Sequence, residues 1–334
     1  MSVESSDVLY LANLCHDCGA CLQACPYAPP HEFRVDIPEA LGSVRLGSYR
    51  RYTWPRRGAG LFDNAIAASV LLTCAGAILA IAAIIGLSGM SALTTIDVRA
   101  GSFYRVVPWL AMLIPSLFAT GFGVIVIAAG AGQFWREMSA THRLKSLRWR
   151  HVVGAVADAM RLQYLDGAGP GCYYPDRMRP SSMRRTLHHA AAYGFGLCFA
   201  ATAVAAFEQD VLSVLPPYPL FSIPVVLGTI GGICIIVGTA GLLGLKLKAF
   251  AGGIRLSGFA LDASFLMLLM LASLTGLLLL ALRGTAAMGG LLAAHLATLL
   301  ALYATFPYGK FVHAAYRFTA LVKNRAEHDA EVTY

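Results

Sequence analysis

Four cysteines near the amino terminus have the spacing of an iron–sulfur site. Cys15, Cys18, Cys21 and Cys25, with Pro26 after the last, form a C-x2-C-x2-C-x3-C-P run. This pattern holds a [4Fe–4S] cluster in bacterial ferredoxins, where one tight loop directs its thiolates to the corners of the same cube. A structural zinc site usually pairs two C-x2-C halves across a longer gap, and the sequence has no second half. The run therefore predicts at least one [4Fe–4S] cluster.

The fourth ligand of that cluster has three possible sources. In ferredoxins with two clusters, the cysteine before the proline ligates the other cluster, and the motif of a second cluster is absent from this sequence. Cys25 can turn back to its own cluster, Cys172 can supply the thiolate, or the chain can begin further upstream than Met1. We expect Cys25 first and Cys172 next.

Hydrophobic segments follow the cysteine run and predict an all-α integral membrane protein. Apolar residues make up 57% of the chain and charged residues only 13%, a balance that excludes an ordinary soluble protein of this length. A helix needs about 20 apolar residues to cross the bilayer. Six segments meet that requirement, and we place them near 62–87, 106–131, 188–207, 220–245, 259–282 and 289–312.

The distribution of Lys and Arg predicts the orientation of this six-helix bundle. Only Arg99, Arg105 and Arg283 lie on one side, and the other 23 of the 26 basic residues lie on the side of both termini. By the positive-inside rule, both termini are in the cytoplasm and the chain is a multi-pass protein of the bacterial inner membrane. The net charge of +8 is then explained by topology and by anionic lipid of the bilayer, with no nucleic acid as partner.

The same boundaries divide the chain into five regions. Residues 1–60 are predicted as a small ferredoxin-like cluster domain, 61–131 as the first two spans, 132–187 as a cytoplasmic helical insertion, 188–318 as spans three to six, and 319–334 as a tail. Apolar residues recur at helical spacing from Gln133 to about Leu165. The glycines of 167–171 lack the strand and helix of a phosphate-binding loop, so nucleotide binding is not expected.

Histidines at the cytoplasmic ends of two spans predict a haem site. A histidine within a membrane span is costly and usually functional. His313 ends the last predicted span, and His188 and His189 begin the third. Neighbouring residues on a helix diverge by about 100°, so only one of that pair can join His313 as a ligand. We lean towards His189, which shares a helix face with Gly196.

His295 lies 18 residues before His313, which is five helical turns, so both would face the same way if Pro307 bends the helix only modestly. This is the arrangement of two stacked haems, but the outer position lacks a second histidine. His295 could equally line a quinone pocket or form a hydrogen bond within the bundle. Four cationic side chains lie close to the inner histidines and are predicted to pair with haem propionates: Arg184, Arg185, Lys310 and Arg317.

The whole chain resembles the tricarballylate-utilisation protein B family, also called CitB, and the carboxyl-terminal half of the fused precorrin-ring enzyme CobZ. The matching segments are Ala12–Cys18, Tyr27–Phe33, Tyr164–Gly167, Gly171–Pro175, Arg184 and Arg185 with His188 and His189, and Leu197–Thr202. The resemblance implies an electron-transfer component rather than an enzyme that converts a substrate by itself. It implies iron–sulfur and haem b centres, a soluble FAD-dependent dehydrogenase of an acid such as tricarballylate as electron donor, and the membrane quinone pool as acceptor.

The sequence departs from that family at two points. Members often carry a further cysteine-rich motif upstream, whereas fourteen residues precede Cys15 here, and they tend to have a histidine where this chain has Glu208 and Gln209. The first departure puts a second cluster in doubt, and the second departure puts a second haem in doubt, so we expect at least one cluster and one haem. Two other functions stay open: a redox partner of a CobZ-like flavin monooxygenase in corrin synthesis, and a six-span transporter with a metal-sensing domain, which would need charged or broken helices at the bilayer midplane.

Overall fold

A computed structural model describes residues 4–141, 147–166, 169, 171–175, 179–252, 254 and 257–331. Within these ranges the chain is helical and forms no β-strand beyond a single bridge between Cys172 and Ser181. The α-helices are α1 (Ser5–Leu14), α2 (Ala20–Ala24), α3 (Ile37–Arg51), α4 (Gly60–Asp63), α5 (Ala65–Ser88), α6 (Ser102–Val106), α7 (Trp109–Thr141), α8 (Trp149–Arg161), α9 (Met183–Asp210), α10 (Ile223–Ala251), α11 (Phe259–Leu282), α12 (Met288–Thr305) and α13 (Val312–Glu331). Short 3-10 turns cover Arg56–Ala59, Met90–Leu93, Gln163–Asp166 and Phe306–Tyr308.

The six predicted apolar segments are helices in the structure. In the described part of the chain, six helical segments are long and apolar enough to cross a membrane: α5, α7, α9, α10, α11 and the stretch from α12 through α13. The helix expected at 259–282 has those bounds, whereas α7, α9 and α10 extend beyond the apolar residues that predicted them. The extension of α7 is stabilised by Phe134 and Met138, which are buried in a core shared with the amino-terminal helices.

Helix α12 lies at the centre of the bundle, in contact with α5, α7 and α11. Its buried face carries small side chains, including Ala293, Ala297 and Ala301. A Cβ atom added to Gly76 of α5 would lie 2.9 Å from the carbonyl oxygen of Ala297. Small residues permit this close approach of the two helices, which is the usual way that apolar helices associate without a hydrophobic driving force.

Helices α9 and α10 form the tightest pair. A Cβ atom on Gly238 would lie 2.5 Å from the amide nitrogen of Ala191, and one on Gly231 would lie 2.8 Å from the carbonyl oxygen of Gly194. Gly231 and Gly238 of α10 therefore permit the close approach of the two helices. This contact sets the rotation of α9 about its axis, and with it the direction of the histidines near its start.

The last apolar segment does not continue as one helix from His295 to His313. Helix α12 ends at Thr305, the turn Phe306–Tyr308 follows, and Gly309 is extended before α13 begins. Pro307 cannot donate a backbone hydrogen bond, so the helix ends there rather than bending modestly. The expectation that His295 and His313 share one helix face was wrong, because the two residues lie on different helices.

Helix α13 packs against the remaining polar elements, at the end of the bundle that carries the cysteine run. It packs against α1, α7 and α8. The side chain of Asp158 on α8 accepts a hydrogen bond from Arg325 Nε at 2.6 Å, and Ala155 of α8 packs on Leu321 and Val322. The helix predicted from Gln133 to Leu165 is therefore divided between the end of α7 and α8, with 142–146 outside the described residues, and the predicted tail is helical as far as it is described.

Candidate functional site

The four cysteines of the run lie on a loop and a short helix between α1 and α3. Cys15 follows α1, Cys21 lies in α2, and Cys25 caps the end of α2. The loop between α1 and α2 turns sharply because Asp17 and Gly19 both adopt left-handed backbone angles, with φ of 55° and 78°. The backbone N–H of Asp17 points to Cys15 Sγ at 3.4 Å.

The thiols of this loop influence one another electrostatically. Partial burial, followed by the proximity of the Cys15 and Cys18 thiolates, raises the pKa of the Cys21 thiol. None of the eight cysteines forms a disulfide. Over the residues that the structure describes, no three His, Cys, Asp or Glu side chains converge at metal-binding distance. The donor set therefore fits an iron–sulfur cluster in type and neighbourhood, while its four ligands stay a prediction.

Cys172 lies against the cysteine loop from the other half of the chain. The backbone N–H of Tyr173 donates to the carbonyl oxygen of Cys18 at 2.7 Å, and a Cβ atom on Gly19 would lie 3.1 Å from the carbonyl oxygen of Tyr173. The thiol of Cys172 is fully buried and donates to the carbonyl of Leu165 at 3.0 Å. Burial raises the pKa of this thiol, so a protonated thiol is favoured at Cys172. Cys25 therefore stays the first candidate for the fourth ligand.

Arg184, on α9, binds the cysteine loop. Its Nη1 donates to the carbonyl oxygen of Asp17 at 2.7 Å. Its guanidinium lies over the ring of Tyr174, 5.1 Å from the centroid. Arg184 was predicted as a partner of haem propionates. The structure places it in the first turn of α9, with its guanidinium on the cysteine loop.

Arg317, on α13, binds the same loop from the opposite side. Its Nη2 donates to the carbonyl oxygen of Cys15 at 2.5 Å, and its Nε donates to that of Asn13 at 3.2 Å. The loop is therefore held between two arginines that belong to two helices of the bundle. Nothing in the local sequence of either arginine indicates this role, because the contacts span 167 and 302 residues.

The other two predicted propionate partners also bind protein groups. Arg185 donates to the carbonyl oxygen of Arg161 at 2.8 Å. Lys310 Nζ lies 2.7 Å from Asp262 Oδ1, and Lys246 pairs with the other oxygen of that carboxylate. Asp262 is the buried carboxylate at the start of α11, and it pairs with Lys246 of α10 and with Lys310 of the segment before α13.

His188 and His313 face each other. Their ring centroids are 6.4 Å apart, with an angle of 76° between the ring planes. The Nδ1 atom of His313 lies 2.5 Å from the carbonyl oxygen of Lys310. A carbonyl only accepts, so Nδ1 carries the proton and Nε2 keeps its lone pair, which is the tautomer that binds metals. Nδ1 of His188 is buried without a hydrogen-bond partner in the described part of the chain.

The spacing of these two rings fits a single metal ion between them. A metal–nitrogen distance of about 2 Å on each side separates two imidazole centres by roughly 6 Å. The backbone of α9 makes its close contacts with α10. Together with the orphaned Nδ1 of His188, the spacing of the two imidazoles fits a pair of axial ligands, while the haem that they would hold stays a prediction.

The ring of His189 faces Tyr193 instead of His313. Its ring packs on Tyr193 with centroids 5.5 Å apart, and its Nε2 is likewise buried without a described partner. The geometry thus favours His188, and not His189 as expected from the helix face shared with Gly196. The sequence leaves this choice open because the two rings differ by about 100° and only the packing of α9 on α10 sets the rotation.

His295 is part of the bundle core. Its Nδ1 lies 3.1 Å from the hydroxyl oxygen of Thr275 on α11. A Cβ atom on Gly276 would lie 3.0 Å from its ring, so a glycine makes room for the imidazole. Of the three roles that the sequence left open for His295, the structure shows the hydrogen bond within the bundle.

Three arginines surround His16, which lies inside the cysteine run. Burial and then the charges of Arg317, Arg184 and Arg45 lower the pKa of His16 to about 2, so this imidazole is neutral at physiological pH. Arg45 of α3 is a site residue that sequence reasoning missed. Little in the sequence indicates this role, since Arg45 is one of several arginines in α3 and in the segment that leads to α5.

Comparison with known proteins agrees with these features. The chain matches the family model described as citrate utilization protein B over residues 62–333, and the model of the Fer4-like domain of that protein over residues 2–51. A curated relative from Escherichia coli, citrate utilization protein B, is 44% identical over 323 residues, which cover 95% of this chain and 82% of the relative. No solved structure matches. On both measures, the chain belongs to the citrate utilization protein B family.

Proposed function

We propose that this chain is the membrane-bound electron-transfer subunit of an organic-acid oxidising system. In this proposal, electrons pass from a soluble FAD-dependent dehydrogenase, of the kind that oxidises tricarballylate, through a [4Fe–4S] cluster and one haem b to the quinone pool. Its membership of a citrate utilization family and the Fer4-like domain support a role in the use of such acids. The cluster, the haem, the flavoprotein and the quinone are the parts that the proposal adds.

One observation carries this proposal: each arginine that grips the cysteine loop is one helical turn from a histidine of the facing pair. Arg184 precedes His188 by four residues on α9, and Arg317 follows His313 by four residues on α13. Residues four apart lie on the same face of a helix, about 6 Å apart along its axis. The cysteine loop and the histidine pair are therefore close in space, because the same turns of α9 and α13 carry both the arginines and the histidines.

The chain's own residues would hold each centre in a distinct way. Cys15, Cys18, Cys21 and Cys25 are the proposed cluster ligands, and Arg184 and Arg317 fix the loop by its backbone carbonyls. His188 and His313 are the proposed axial ligands, and the carbonyl of Lys310 orients the ring of His313. When bound, an iron–sulfur cluster and a haem each take up and release single electrons, at potentials set by charge and hydrogen bonding around them.

The proposed placement in the membrane is supported by the apolar helices and by the distribution of positive charge. The six apolar helices are those of a multi-pass membrane protein, and the positive-inside rule assigns the cysteine-run end, with both termini, to the cytoplasm. A soluble flavoprotein would then meet the cluster domain on that side, while the apolar helices give access to a quinone dissolved in the bilayer.

Spectroscopy of the purified full-length protein in detergent tests this function. After reduction with dithionite we expect the absorption bands of a b-type haem and the EPR signal of a reduced [4Fe–4S] cluster. Addition of a short-chain quinone should reoxidise the haem. A folded, colourless preparation that contains neither iron nor haem would overturn the proposal.

A further inference from the structure

A cleft of about 930 Å³, including its solvent-open part, lies between the cluster domain and the helix bundle. Its wall includes the loop of the cysteine run, α3, the segment around Tyr174, and the starts of α9 and α11. The proposed axial ligands His188 and His313 do not line it. The cleft is therefore separate from the space between the two histidines.

Four cationic side chains line this cleft, and each comes from a different element. Arg45 belongs to α3, Arg184 to α9, Lys246 to α10, and Lys310 to the segment before α13. Gly258 and Leu261, at the start of the 24-residue α11, line the same cleft. Cations and a helix start that converge on one space favour a negatively charged ligand.

Four carboxylates also line the cleft, and each is already engaged. Asp262 pairs with Lys246 and with Lys310, the latter at 2.7 Å. Asp36 caps α3 by accepting from the N–H of Glu39 at 3.0 Å, and Glu39 has a partner of its own. Asp17 lies beside Arg184. These carboxylates therefore do not pair with every hydrogen-bond donor of the cleft wall.

Two buried donors in the cleft wall have no partner among the described residues. The hydroxyl of Tyr174 is one, on a side chain that is only 8% exposed, and the Nε of Arg45 is the other. An unsatisfied buried donor costs about 1–3 kcal/mol, so such groups usually have a ligand or water in the functional state.

We propose that this cleft binds a small di- or tricarboxylate, held by Arg45, Arg184, Lys246 and Lys310 with the hydroxyl of Tyr174. Carboxylates are favoured over a single phosphate because Lys246 and Lys310 meet at Asp262, whereas Arg45 and Arg184 belong to other elements of the wall. A ligand with several acid groups can reach both sets of cations. An apolar ligand is excluded by the charge of the lining. The site stands apart from the electron-transfer role, because none of these contacts requires a bound cofactor.

Isothermal titration calorimetry of the full-length protein in detergent and a carboxylate-free buffer tests this site with citrate, succinate and inorganic phosphate. We expect citrate to bind at least about tenfold more tightly than phosphate. Tyr174→Phe should weaken citrate binding about tenfold, since a hydrogen bond to a charged group is lost. The fold should be unaffected, because the hydroxyl has no described protein partner, and thermal unfolding checks this. Arg45→Gln should weaken binding at least as much.

Lys248→Gln is the matched control for charge. Lys248 is on the same helix as Lys246, is exposed and does not line the cleft, so citrate affinity should stay at the wild-type value. Equal affinity for citrate and phosphate, or wild-type affinity in both Tyr174→Phe and Arg45→Gln, would overturn the proposal. The His188→Ala variant separates it from the haem: unchanged citrate binding there supports an independent site, whereas tighter binding would assign the cleft to haem propionates and overturn it.

Discussion

At the scale of single residues, Arg317 has a structural role in the cysteine loop and, in the proposed function, a second role at the cluster. Its guanidinium holds the backbone of the cysteine loop through the carbonyl oxygens of Cys15 and Asn13. The same positive charge lies beside the proposed cluster. Net charge and hydrogen bonds around a cluster set its reduction potential, and a nearby cation favours the more negative, reduced form.

Arg317→Gln should therefore lower the midpoint potential of the cluster by on the order of tens of millivolts, measured by an EPR-monitored redox titration. Arg317→Lys keeps the charge and should fall closer to wild type. Arg325→Gln on the same helix is the control, because Arg325 binds Asp158 instead of the loop. An identical midpoint in Arg317→Gln and Arg325→Gln would contradict a role of Arg317 at the cluster.

At the scale of elements, the cysteine loop depends on a segment more than 150 residues away. Gly19 is left-handed, with φ of 78°, and it lies against the backbone of Tyr173. The two requirements act together, since the backbone angle disfavours any side chain and a Cβ atom would be in tight contact with Tyr173.

Gly19→Ala should lower the stability of the cluster domain by about 1–2 kcal/mol, the cost of a left-handed non-glycine residue, and should reduce the iron content per chain. Gly47→Ala in α3 is the control, because a Cβ atom there meets open space and alanine favours a helix. Thermal unfolding and iron analysis measure both effects. Wild-type iron and stability in Gly19→Ala would show that the loop adopts another conformation.

The packing of α10 on α9 directs His188. Gly238 lies against Leu187 and Ala191, with 2.7 Å between its added Cβ atom and the carbonyl oxygen of Leu187. Gly238→Val should push α9 away and lose more than half of the bound haem while cluster iron is retained. Gly244→Val on the same helix, where nothing lies within 4 Å, should keep the haem. Equal haem in the two variants, read from the reduced absorption spectrum, would contradict this dependence.

At the scale of the whole molecule, the structure joins a cysteine-rich domain to a helix bundle through paired arginines, a shared aromatic core and helix α13. Tyr49 and Tyr316 pack with ring centroids 5.7 Å apart in that core. Burial raises the pKa of Tyr49 to about 12. The domain is thus packed against the bundle rather than tethered to it, which suits the transfer of electrons between fixed centres.

The amino-acid sequence predicts local features of this architecture well. The spacing of Cys15 to Cys25 and the length of the apolar segments depend only on neighbouring residues, so the motif and the six helices could be foreseen. The break at Pro307 could be located but not its severity, because a proline can bend a helix or end it.

Contacts between distant segments could not be foreseen. The choice between His188 and His189 depends on the rotation of α9 about its axis, which its packing on α10 sets. The hydrogen bonds of Arg184 and Arg317 to the loop depend on where α9 and α13 meet the first fifteen to twenty residues. Tyr174 gave no signal at all, because a tyrosine becomes a candidate donor only when its hydroxyl is seen to be buried without a partner.

Haem content per chain in four histidine variants tests the central claim most directly, which is that His188 and His313 form one haem site beside the cysteine loop. We predict about one haem in the wild type, almost none in His188→Ala and His313→Ala, and wild-type content in His189→Ala and His295→Ala, with cluster iron unchanged in all four. Loss of haem in His189→Ala with retention in His188→Ala, or retention in both His188→Ala and His313→Ala, would contradict the account.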